Sequence, residues 1–182
     1  MTQSAVRIML DIVTNGDLHL VERRSALKDL TLAMEKNSDS ADSLSTYKEL
    51  LPQSLLDLEL TETEQSEIVQ LLCEQIEREP MGSGLLTELL WAVGKSSARV
   101  STNAFPCVLG CALERPLSGA ELRQAILSLE DLSYTADNSE LVAQLPRLNQ
   151  LRSKVVASGN EASLEAIDSY FTKLAARKLP GL

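Results

Sequence analysis

Apolar residues in this chain recur at the three-to-four-residue spacing of a helix face along almost its whole length. No run alternates with the period of two that a half-buried strand needs. That pattern restricts the fold class to all-α. The apolar residues are mostly Leu, Ala, Val and Ile, and Leu and Ala lose little side-chain freedom in a helix. Only six residues of 182 are aromatic, too few to build a stacking surface for bases or sugars. A hydrophobic share of 44% is enough to give a chain of this length a real core.

The pattern predicts about nine helices, in antiparallel pairs joined by short loops. The first covers Ser4 to Val13 and ends at the turn pair Asn15-Gly16; the second runs from Asp17 to Lys36. The Ser- and Asp-rich stretch 37–45 reads as a loop, and a third helix spans Thr46 to Leu58. Thr61 and Glu64 have capping-box spacing, in which each side chain satisfies the other residue's free backbone N–H. They start a fourth helix whose buried stripe is Ile68, Val69, Leu72 and Ile76. Glu79-Pro80 ends it, because proline cannot continue the hydrogen-bond ladder. Further helices are expected over Ser83–Lys95, Ala98–Glu114, Ser118–Tyr134, Asn138–Ala157 (interrupted or kinked at Pro146) and Glu161–Lys178. Residues 1–182 then form one all-α domain: an N-terminal helix pair over 1–36, the loop 37–45, a helical body over 46–157 and a C-terminal helix over 158–182.

The formal net charge of −9 is unevenly placed. Between Asn37 and Pro80 there are eleven carboxylates against Lys48 and Arg78, so this stretch alone carries −9 and the remainder sums to zero. Such a balance disfavours nucleic acid and anionic membrane as partners, since both repel it at long range. Residues Leu141 to Leu182 have six bases against three acids, a mildly basic tail. No run approaches the roughly 20 apolar residues of a membrane span. Met1 to Val13 does not read as a signal peptide, having Arg7 and Asp11 inside it and no basic start. Three scattered cysteines point to free thiols and a cytoplasmic location rather than a disulfide framework.

The chain also matches itself at an offset of 36. Leu86, Leu89, Leu90 and Val93 fall on Leu122, Ala125, Ile126 and Leu129, and Phe105, Leu109 and Ala112 fall on Leu141, Leu145 and Leu148. One step earlier, Val69, Cys73 and Ile76 fall on Phe105, Leu109 and Ala112. At an offset of 35, Leu51, Leu55 and Leu58 fall on Leu86, Leu90 and Val93. An offset of 40 competes by aligning Pro106 with Pro146. A helix pair of this length buries its apolar faces only by stacking on its neighbours. With the stretch LLTELLWAVGK (Leu85–Lys95), the pattern resembles HEAT or armadillo-type helical repeats over residues 46–150. The resemblance implies an α–α superhelix; an irregular helical bundle is the alternative. It also implies an Asp and an Arg or Lys near the inter-helix turns, for which Lys95 and Arg99 are the nearest residues.

No motif carries chemistry. Gly94-Lys95-Ser96 looks like the end of a phosphate-binding loop, but that loop's first glycine falls at Leu89 on an apolar helix face. Cys107 and Cys111 share a helix face without the second ligand pair a zinc site requires, and read as core residues. His19 has no serine or cysteine at a catalytic spacing. Trp91, beside Leu89, Leu90 and Val93, reads as packing. What remains is a polar strip on the fourth helix, Glu64, Glu67, Gln70, Glu74 and Glu77, opposite its apolar stripe. It lacks the Glu-x-x-His pattern of di-iron bundles and reads as a solvated face or a surface for a basic protein. The expectation is a non-catalytic protein-interaction module that needs no cofactor or metal. The alternatives are an immunity- or antitoxin-like inhibitor of a basic enzyme, and an enzyme or small-molecule regulator with a pocket between helices.

Overall fold

Residues 2–38, 57–97 and 99–180 are described by a computed structural model of the chain. Among them lie eight helices and no strand: α1 (Thr2–Thr14), α2 (Leu20–Ser38), α3 (Glu62–Arg78), α4 (Leu85–Gly94), α5 (Ala104–Glu114), α6 (Gly119–Thr135), α7 (Asn138–Ser158) and α8 (Glu161–Ala176). The expected helix over Thr46–Leu58 falls almost wholly outside the described residues. So does most of the expected loop 37–45, whose first two residues continue α2. None of the described helices is long and apolar enough to cross a membrane.

Helix ends follow local chemistry. At α3 the box forms as the spacing predicts: the Thr61 side chain accepts from the Glu64 N–H, and Glu64 Oε2 accepts from the Thr61 N–H at 2.9 Å. A second box, Ser118 with Glu121, starts α6. The largest boundary error is α5, which begins at Ala104 and not at Ala98. Ser96 Oγ bonds the Val93 carbonyl and Ser97 Oγ accepts from the Arg99 N–H, so short polar side chains hold turns where a helix would otherwise run. Pro106 then sits in the first turn of α5, where its missing N–H costs nothing. Pro146 lies inside α7, and the helix runs on past it without ending.

The helices alternate between two rows. α2 packs on α4, α4 on α6 and α6 on α8; in the other row α3 packs on α5 and α5 on α7, while α1 only touches α3. The core lies where the rows meet. Every residue aligned by the offset of 36 is buried within the described helices, on α3, α5 and α7 or on α4 and α6. The offset of 40 fails, because it carries buried Leu109 and Ala112 onto exposed Asn149 and Arg152. The last step lengthens to 41: Leu122, Ala125, Ile126 and Leu129 of α6 correspond to buried Ser163, Ala166, Ile167 and Tyr170 of α8. The cause is α7, which at 21 residues runs well past the 11 of α5.

Neighbouring helices are also joined by bases that cap helix carbonyls. Arg115 donates to the Ile76 carbonyl and, at 2.6 Å, to that of Glu79, closing α3. Lys154 of α7 donates to the carbonyls of Ala112, Leu113 and Arg115 at 2.7, 3.1 and 2.8 Å, closing α5. Arg177 donates to the Ser133 and Ala136 carbonyls at the end of α6. Each base meets the partial negative charge and unpaired acceptors of a helix C-terminus. These three bases lie at different places in their helices: Arg115 follows α5, Lys154 lies within α7 and Arg177 follows α8. Lys95 instead pairs with Asp131 at 3.1 Å and Glu35 at 4.0 Å across its own row.

Candidate partner-binding surface

Amphipathic α3 buries Ile68, Val69, Leu72, Cys73 and Ile76, and this fixes which of its polar residues face out. The five residues of the expected strip prove unequal. Glu67, Gln70 and Glu77 are exposed, and Glu64 and Glu74 are half-buried. Glu64 belongs to the capping box, where bonds from the Thr61 N–H and hydroxyl hold its carboxyl below the ordinary value. Gln70 accepts from Asn103 Nδ2 at 2.9 Å and so ties α3 to the start of α5. Glu74 lies 3.7 Å from Arg78. Glu67 and Glu77, together with exposed Glu62, make no ion pair or side-chain hydrogen bond among the described residues.

A groove of about 510 Å³ runs between α1 and α3. From α3 it takes Glu64, Glu67, Ile68 and Leu71, one helix face at steps of three and four; from α1 it takes Val6, Arg7, Leu10 and Asp11. Leu58 and Leu60, both buried, close the floor. Leu71 is 40% exposed, an apolar residue left at the surface beside carboxylates.

The acidic run is not uniformly solvated. Glu79 is only 2% exposed, and its carboxylate meets Arg23 Nη2 at 2.7 Å and Gln75 Nε2 at 2.8 Å. Arg23, also buried, donates from Nε to the Val13 carbonyl at 2.9 Å and so closes α1. Glu121 accepts from the Gly82 and Ser118 N–H groups, both at 2.8 Å. Burial pushes its carboxyl up, but those donors, the Ser118 hydroxyl and nearby Arg115 together bring it below the ordinary value. Sequence reasoning missed all of these partners; the Ser-x-x-Glu spacing of residues 118–121 was the one signal that could have marked the Ser118–Glu121 cap.

Gly94, the cysteines and Trp91 resolve into packing. Gly94 is required by close helix approach, since a Cβ there would lie 2.6 Å from Ser128 Cβ and 2.8 Å from Ser128 Cα of α6. Cys73 and Cys111 are buried and Cys107 is half-buried. A hydrogen bond with the Cys73 thiol and burial both push the Cys107 thiol up, and burial does the same for Cys111, so neither is a ready thiolate. No group of three metal-ligating side chains occurs among the described residues. His19 is exposed at the start of α2, and Trp91 is half-buried against the core. Ser133 and Tyr170 meet at 2.7 Å between α6 and α8. Because Ser133 gives its single proton to the Leu129 carbonyl at 2.7 Å, Tyr170 is the donor of that pair. Burial pushes the Tyr170 hydroxyl upward, which keeps it neutral.

Comparisons with protein families, with curated proteins and with solved structures return no match.

Proposed function

We propose that this chain is a non-catalytic protein-interaction module that presents the outer face of α3 to a basic protein. One observation carries the reading: exposed Glu67 and Glu77 of the strip pair with no described residue. Exposed like charges on a fixed scaffold steer encounter and select a partner of opposite sign. The two rows of alternating helices support a HEAT- or armadillo-like α-solenoid as the scaffold, in which stacked pairs expose long side faces to partners. Cys73, Cys111 and Tyr170 are taken up by packing, which supports a role without catalysis.

The test is affinity capture from the native source with wild-type protein and with the charge-reversed variant Glu67→Lys/Glu77→Lys, at low and high salt. Wild type should retain a basic protein that is released by salt and not retained by the variant. Equal retention by the two proteins would remove the acidic surface from consideration.

A further inference from the structure

We infer that the groove between α1 and α3 receives an amphipathic helix of the partner protein, apolar stripe inward and Lys or Arg along its flanks. This rests on the reading of α3 as the partner surface and adds the mode of binding.

The two walls are helix faces with residues at helical steps, the spacing that accepts the i, i+3, i+4 and i+7 anchors of a docked helix. The floor is aliphatic: Val6, Leu10, Leu58, Leu60, Ile68 and Leu71 line the groove. It opens where the row of odd-numbered helices is loosest, since α1 touches α3 far less than α3 packs on α5. Its rim carries Asp11, Glu64 and Glu67 against the single base Arg7, and half-buried Glu74 stands two turns beyond Glu67 on nearly the same line of α3. A stripe of Leu or Ile flanked by cations matches both properties at once.

Charge also decides between this occupant and the two nearer to hand. A second copy has its densest basic residues at the C-terminus, and those are already engaged; its exposed Lys28, Arg99 and Arg123 stand on separate segments and form no helical stripe of cations. Arg147 pairs with Glu114, Arg152 with Asp168 and the Phe171 ring, and Lys173 with Glu130. Lys154 and Arg177 close helix ends, and only Lys178 is left without a side-chain partner among the described residues. The chain's own residues 39–56 carry Asp39, Asp42 and Glu49 against Lys48, the wrong sign for an acidic rim.

A synthetic helical peptide with Leu on one stripe and Lys on its flanks is the probe, read by fluorescence anisotropy and amide hydrogen exchange. The control peptide has the same composition with the stripe scrambled. The striped peptide should bind at least tenfold more tightly than the scrambled one and slow exchange in α1 and α3. Leu71→Asp should weaken it at least tenfold although it adds a negative charge; Leu71→Gln should show the same loss if the mutant acid has a folding cost. If Glu67→Lys/Glu77→Lys abolishes binding while both Leu71 variants leave it intact, the acidic surface stands and the groove falls. If no variant changes binding, both fall. A photo-crosslinking side chain placed at position 71 should label the peptide; labelling of a second copy, or of residues 39–56 of the same chain, would overturn the proposal.

Discussion

Two charged regions of this molecule look alike in sequence and differ in the fold. The basic residues of the C-terminal third and the glutamates of α3 both stand on amphipathic helices. Yet Arg147, Arg152, Lys154, Lys173 and Arg177 all hold their own chain together, whereas Glu62, Glu67 and Glu77 hold nothing among the described residues. Formal charge is therefore a poor guide to the charge a surface offers a partner. What decides availability is whether a side chain reaches a helix end or an opposite charge on a neighbouring helix, and only the packed structure shows that.

The comparison is broken most severely at Glu79, which belongs by sequence to the acidic run and by structure to the interior. Glu79→Ala leaves the buried Arg23 guanidinium without its carboxylate. Removing one partner of a buried pair costs about 3–5 kcal/mol, a large share of the total stability of a domain. Urea unfolding should show that loss, while Glu67→Ala shifts stability by no more than about 0.5 kcal/mol. A loss at Glu79 as small as that at Glu67 would mean the two carboxylates are equivalent, and the contrast would collapse.

How much of this was legible in the sequence follows from the kind of signal each feature leaves. Helix α3 was readable to the residue at its start because Thr61 and Glu64 are local partners three apart. The burial of Leu86, Leu122, Phe105 and Leu141 was readable because a repeated apolar face repeats in sequence. The start of α5 was not, since Ser96 and Ser97 act through hydroxyl bonds that apolar periodicity does not register. Nor were the bases that close helix ends. Arg115 follows α5, Lys154 lies within α7 and Arg177 follows α8, so they occupy different places in their helices and leave no period to find. For the candidate surface, the sequence placed the five polar residues on one helix, but local spacing could not separate the occupied Glu64 and Gln70 from the unoccupied Glu67 and Glu77.

The same contrast among bases is sharpened by Lys154 and Lys178. Lys154→Met keeps most of the aliphatic stem and removes the donor to three carbonyls at the end of α5. Hydrogen bonds to a charged group contribute about 1.5–3 kcal/mol, and water can reach part of this half-buried site, so a loss of about 1–2 kcal/mol is expected. Lys178→Met should be indistinguishable from wild type in the same unfolding measurement. Equal effects would mean that the helix ends are closed by water and not by the chain.

Glu121 carries the contrast into pH. Its carboxyl sits below the ordinary value in the folded chain, so the unfolded chain binds the proton more readily. The stability it contributes is then fully present above the unfolded value near 4.5 and is lost as the pH falls through the lower folded value. Glu121→Gln should lower stability by about 1 kcal/mol at neutral pH. Between about pH 5 and pH 3 its melting temperature should fall less steeply than that of wild type. Parallel pH profiles would show that the Gly82 and Ser118 N–H groups do not favour the charged form.

The smallest effect is expected at the surface glutamates themselves, and its sign is informative. Glu62 stands in the first turn of α3, where a negative charge favours the helix, and Glu77 stands in the last turn, where it opposes the same dipole. Neutralising Glu62 should therefore cost a few tenths of a kcal/mol, and neutralising Glu77 should return a similar amount. The variant Glu62→Gln/Glu67→Gln/Glu77→Gln is expected to unfold within about 0.5 kcal/mol of wild type while losing the basic partner. A triple variant that binds normally, or one that is strongly destabilised, would show that these carboxylates are engaged in the way the C-terminal bases are.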